Sequence, residues 1–122
     1  MSGNKLLIDT NIALYLLSGN NTLAELLNDN TIYISFITQL ELLGFRNISE
    51  EEKLRIKVFL NECIVLDLSE EIKENTITLK QKYTIKLPDA IIAATSIVFD
   101  LNFISADKNF SKIEELSLVL FE

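Results

Sequence analysis

From one end to the other the chain alternates short β-rich runs with segments of helical periodicity, and no other feature restricts its fold as strongly. Strands joined through helical crossovers pair in parallel, because a parallel neighbour is reached only by a long connection. The expected fold class is therefore α/β, with a central, mainly parallel sheet of about four to five strands and helices on its faces. Strands are expected at residues 5–8, 31–34, 64–68, 102–104 and 118–120.

Helices are expected over residues 10–17, ended by Ser18-Gly19-Asn20-Asn21, and over 22–27. Two more follow the second strand, one over 38–45 and one begun by Ser49 and running to about Asn61. Glu52 stands three residues after Ser49, which completes a capping-box pattern. Ser69 caps the next helix, whose Ile72, Ile77, Leu79 and Tyr83 lie among charges and predict a half-exposed element. Pro88 suits a first helical position, where its missing N–H has no partner to lose, so a new helix is expected over 88–99. No residue from 90 to 99 is charged, which predicts burial over most of that helix.

A length of 122 residues with 48% hydrophobic residues, three Gly and one Pro fits one folded domain over 1–122, with disorder only at the first few residues. The uncharged runs 12–17 and 90–99 fall well short of the roughly 20 apolar residues a membrane span requires. The start shows no apolar signal region, and a cytoplasmic protein is expected. Cys63 is the only cysteine and is expected to be a buried packing residue.

The count that excludes most chemistry is zero histidines, which removes Ser-His and Cys-His catalysis and every imidazole metal site. Catalysis must rest on carboxylates, lysines, hydroxyls or bound metal. A formal charge of −7 and a pI near 4.6 argue against a broad basic face for nucleic acid, so a nucleic-acid substrate needs local positive charge such as a divalent metal.

In an open parallel sheet, ligands bind outside the carboxyl ends of the strands. Asp9 directly follows Leu6-Leu7-Ile8, and Asp107 lies just past the strand that ends at Ile104. Glu41 has Ile37, Thr38, Gly44 and Phe45 as helical neighbours, so it is expected on a packed face, paired, protonated or metal-bound. Asp89 poses the same problem at the entrance to the most buried helix. Plainer roles remain open for three of the four: Asp9 as a helix cap, Asp89 as a partner of the helix dipole and Asp107 as a turn former.

Together the four acids are expected around one cleft. Two carboxylates about 5 Å apart repel by roughly 3 kcal/mol at an effective dielectric of about 20, so the cluster calls for a cation. With no histidine or thiol nearby, oxygen ligands select a hard divalent ion, Mg2+ or Mn2+, and phosphodiester hydrolysis is the reaction such a site performs.

At these residues the sequence resembles the PIN-domain nucleases, particularly the VapC-like ribonuclease toxins of toxin–antitoxin pairs. The motifs are Leu7-Ile8-Asp9-Thr10-Asn11-Ile12, Ser35-Phe36-Ile37-Thr38-Gln39-Leu40-Glu41-Leu42, Leu87-Pro88-Asp89-Ala90-Ile91-Ile92-Ala93-Ala94 and Ile104-Ser105-Ala106-Asp107-Lys108-Asn109-Phe110. The resemblance implies a PIN-like three-layer α/β/α sandwich. It implies Asp9, Glu41, Asp89 and Asp107 as catalytic and metal-binding acids, with Mg2+ or Mn2+ activating water to cut RNA. Thr10, Asn11 and Ser105 would support them by hydrogen bonding, or serve only as caps and turn formers. The family often has threonine at Ser105 and a further acid near Asn109, which leaves one metal expected and a second open.

Lys108, Lys86 and Arg46 adjoin the motifs and are the candidate RNA contacts, with solvated surface charge as their plainer role. The resemblance further implies a homodimer and a cognate antitoxin that packs across the cleft. A receiver-like or aspartyl phosphatase reading fits less well, because the acid it needs two residues after Asp9 is Asn11 and because Glu41 has no place in it. A catalytically idle PIN fold that binds RNA or a protein partner is the remaining alternative.

Overall fold

The sheet is built from strands whose alternate side chains enter two separate cores, as the period of two along a strand requires. A computed structural model describes residues 3–121, and the expectation about the outermost residues, Met1 and Ser2, lies outside them. The strands are β1 (Lys5–Ile8), β2 (Thr31–Ser35), β3 (Ile64–Leu66), β4 (Asn102–Ser105) and β5 (Ser117–Leu120), in the order β3-β2-β1-β4-β5. All four pairings are parallel.

The helices are α1 (Thr10–Leu17), α2 (Asn21–Leu27), α3 (Phe36–Leu43), α4 (Glu50–Glu62), α5 (Glu70–Lys82) and α6 (Leu87–Val98), with a 3-10 helix over Lys108–Lys112. On one face, Leu6, Ile8, Ile34 and Ile104 pack against Ile12, Leu23, Leu42 and Ile56 from α1 to α4. On the other, Leu7 and Phe103 pack against Ile72 and Leu79 of α5, Ile92 to Ala94 of α6 and Phe110 of the 3-10 helix. This is the three-layer α/β/α sandwich, with β1 and β4 at its centre.

Side-chain caps start the elements where the sequence places them. The Ser49–Glu52 capping box forms in both directions, and Ser69 Oγ accepts the Ile72 N–H. Several boundaries differ from expectation for local reasons. Ser35 Oγ accepts the Ile37 N–H, so α3 begins at Phe36 rather than Thr38. Asn20 caps α2, Lys86 caps α6 so that Pro88 is its second residue, and β3 stops at Leu66, ahead of the Ser69 cap. The turn expected at 105–109 runs into the 3-10 helix, which Asp107 caps. Ile77 is 57% exposed, while Cys63 ends α4 half-buried against the first core rather than fully enclosed.

Candidate active site

Going from β1 to β3 the chain steps to one side of the sheet, then returns to place β4 and β5 on the other. The carboxyl ends of β1 and β4 therefore flank the point where strand order reverses, the usual place for a ligand crevice in such sheets. Asp9 follows β1 directly, and Asp107 follows β4 by two residues. A cleft of about 250 Å3 opens there, and Asp9, Thr10, Asn11, Glu41, Asp89 and Asp107 all line it.

Asp9 is the most enclosed of the acids, at 5% exposed. Its two oxygens divide the roles left open by the sequence: Oδ1 accepts the Ile12 N–H at 3.0 Å and caps α1, while Oδ2 accepts the Ser105 hydroxyl at 2.5 Å. Burial pushes the Asp9 pKa up, the two hydrogen bonds pull it down, and Asp107 and Asp89 push it further up. Ser105 is itself fully buried, and its Oγ also accepts the Asp107 N–H at 3.0 Å. Asp107 in turn accepts the Asn109 N–H at 2.9 Å, so its turn-forming role coexists with its place in the cleft.

Asp89 lies half-buried in the first turn of α6, where Lys86, Leu87 and Pro88 provide no side-chain cap. Its pKa is raised by burial first, then by Asp107 and Glu41, and lowered by Lys86. The four acids are thus close enough to feel one another's charge.

Glu41 corrects the expectation. It is exposed, not packed, because Thr38 and Leu42 form the buried stripe of α3 and Glu41 sits at its margin. Of the apolar neighbours that suggested burial, Ile37 packs half-buried against the second core, while Phe45 is 44% exposed and lines the same cleft. Thr10 Oγ1 reaches Glu41 Oε1 at 2.5 Å and Thr38 Oγ1 at 3.1 Å. A carboxylate only accepts, so the Thr10 proton goes to Glu41 and the Thr38 hydroxyl donates to Thr10. Thr38 went unnoticed as a site residue, although a hydroxyl three positions before a candidate acid on one helical face was a usable signal.

Of the candidate cations, Lys86 neighbours Asp89, and Arg46 lines a separate cavity of about 410 Å3 that shares Leu14 and Phe45 with the cleft. Lys108 is exposed at the start of the 3-10 helix. The thiol takes no part: burial pushes Cys63 up to about 12, so it stays protonated at neutral pH.

The donor set fits a hard divalent ion in kind, being all oxygen and mutually repulsive. Among the described residues no three acidic or cysteine side chains already converge closely enough to hold one. Asp9 is fixed by two hydrogen bonds, and Glu41 and Asp107 each accept one, from Thr10 and from the Asn109 N–H.

A profile of the PIN domain matches residues 6–116, and the chain belongs to that family. Its fold matches those of solved toxin–antitoxin structures. The toxin-antitoxin complex from Klebsiella pneumoniae matches with 32% identity and a TM-score of 0.78, over 93% of this chain and 95% of that one. VapBC2 from Rickettsia felis, bound to a DNA fragment from its promoter, matches with 24% identity and a TM-score of 0.78, over 97% and 99%. VapBC-1 from nontypeable Haemophilus influenzae matches with 27% identity and a TM-score of 0.76, over 95% and 97%. No curated protein matches the chain.

Proposed function

We propose that this protein is a metal-dependent endoribonuclease, the toxin of a toxin–antitoxin pair, acting as one domain over residues 1–122. The observation that carries the reading is the lining of one cleft by Asp9, Glu41, Asp89 and Asp107 in a chain with no histidine. Family membership and the toxin–antitoxin neighbours support a nuclease of this kind.

The four acids would hold the ion, Mg2+ or Mn2+. When bound, it supplies Lewis-acid polarisation of a phosphodiester and a lowered pKa for water. The chain's own residues do the positioning. Ser105 holds the Asp9 carboxylate and the Asp107 backbone in one arrangement, and the Thr38–Thr10 pair orients Glu41. Asn11 lines the cleft with a neutral polar group. Lys86, Arg46 and Lys108 offer positive charge to RNA on different sides of the acids.

A cognate antitoxin and a second copy of the chain are the proposed protein partners. Support comes from the exposed apolar side chains Leu40, Leu54 and Val58 and from the cavity beside Arg46. Among the described residues no helix is long and apolar enough to cross a membrane. A cytoplasmic location is proposed with the toxin role.

The purified protein is expected to cleave single-stranded RNA with Mg2+ or Mn2+ and to lose this activity in EDTA, in Asp9→Ala and in Asp89→Asn. Expression without an antitoxin should slow growth, and Glu41→Ala should relieve it. Full activity in EDTA, or in both mutants, would sink the metal-nuclease reading, and absence of cleavage with either ion would favour an idle PIN fold that binds RNA or a partner.

A further inference from the structure

Next to the acid cleft lies a second and larger one, about 590 Å3, and Asp89 and Asp107 line both. Three of its lining residues are basic. Lys80 of α5, Lys86 at the cap of α6 and Lys112 of the 3-10 helix converge there from three separate elements. In a chain with 11 cations against 18 acids, three at one cleft is a local reversal of charge.

Two of the three ammonium groups are held by carbonyls rather than by carboxylates. Lys80 Nζ donates to the Ile85 carbonyl at 2.6 Å, and Lys112 Nζ donates to the neighbouring Thr84 carbonyl. Among the described residues the ion pairs are Lys73–Glu70 and Lys82–Glu115, neither of which involves these three lysines. A carbonyl tether fixes a lysine and leaves its full charge and remaining N–H donors for an anion, so less entropy is lost on binding. Asn109 contributes a neutral side chain to the same cleft.

The geometry points to the Lys80–Lys86–Lys112 cleft as a subsite for a backbone phosphate of single-stranded RNA, one flanking the phosphate that meets the acids. The inference rests on the nuclease reading for the identity of its ligand. An anion placed against bare Asp89 and Asp107 is repelled, whereas one at the lysines is attracted, so the shared cleft sorts cation from phosphate along its length.

The test is fluorescence anisotropy of a labelled oligouridylate on the full chain in Ca2+, across a series of salt concentrations. Lys80→Gln with Lys112→Gln keeps an amide donor for each carbonyl and removes both charges. This pair should weaken binding about tenfold and reduce the slope of log affinity against log salt by about 1.4, since each lost contact on a single strand contributes about 0.7. Lys80→Arg with Lys112→Arg should restore both. Should the Gln pair fail to fold, Lys86→Gln, which tethers no carbonyl, should reduce the slope by about 0.7.

Unchanged affinity and slope in these variants overturn the subsite, as does a wild-type protein that binds no RNA. Cleavage assayed in parallel with Mn2+ separates the two claims. Cleavage with no lysine dependence of binding leaves the nuclease and removes the subsite. Lysine-dependent binding without cleavage supports the subsite and removes the nuclease.

Discussion

Ser105 and Asp9, 96 residues apart, are joined by a 2.5 Å hydrogen bond that runs between the carboxyl ends of the two central strands. The same Ser105 oxygen accepts the Asp107 N–H, so one buried hydroxyl spaces two of the four acids.

Removing that hydroxyl tests its role. Ser105→Ala leaves Asp9 Oδ2 without its donor, and loss of an outer partner of this kind typically lowers metal affinity or activity by about 10- to 100-fold. Ser105→Thr keeps a hydroxyl and should retain most activity. The comparison is the cleavage rate against Mn2+ concentration, and equal curves for Ser105→Ala and wild type would remove the positioning role.

Divalent ions should stabilise the fold through the acids. At free ion about a hundredfold above its Kd, linkage predicts about 2.7 kcal/mol, a rise of about 10 °C in Tm for a domain of this size. Calorimetry with and without Mn2+ should show this shift in the wild type and lose most of it in Asp9→Asn and Asp89→Asn. An equal shift in all three proteins would place the ion elsewhere.

Without metal, the acids should make stability fall as pH rises. Burial and mutual repulsion raise the pKa of both Asp9 and Asp89 above the ordinary 3.8. Between 3.8 and the raised values the folded state holds more protons than the unfolded one, so stability is lost as pH rises through that window. Glu52 and Glu115, lowered by their hydrogen bonds, act oppositely: their contribution is present above 4.5 and lost as pH falls through their lowered values. The urea midpoint in EDTA should therefore fall as pH rises from 3.8 through the raised values of Asp9 and Asp89, and Asp89→Asn should flatten that fall. A wild-type midpoint that rises across that window would contradict this.

Thr38 offers a test of the hydroxyl chain to Glu41. Thr38→Val keeps the shape of a fully buried side chain but removes the donor to Thr10. Activity should fall about tenfold, as for other outer hydrogen-bond partners, and Thr38→Ser should recover it. Steady-state cleavage rates at matched Tm decide the matter, and a fully active Thr38→Val would reduce Thr38 to a packing residue.

Most of the fold was legible because its signals are local. Short β-rich runs gave the strands, and Ser49, Ser69 and Pro88 marked helix starts within one or two residues. The starts of α2 and α3 moved because Asn20 and Ser35 each captured an N–H, whereas that of α6 moved with no side-chain cap. Among the acids, placement at the carboxyl ends of strands located Asp9 and Asp107 well. Glu41 was misjudged because an apolar helical face was equated with burial, whereas this one opens onto the cleft.

The sequence by itself determined the element order, the parallel sheet, the four motifs and, through the absence of histidine, that no imidazole takes part. Only the tertiary structure decided that Ser105 spaces Asp9 from Asp107, that Thr38 backs Glu41 through Thr10, and that Lys80, Lys86 and Lys112 share a cleft with Asp89. The physical reason is range. Strand alternation, capping and turn chemistry act within a few residues, whereas hydrogen bonds and charge act through space between segments that only the strand order brings together.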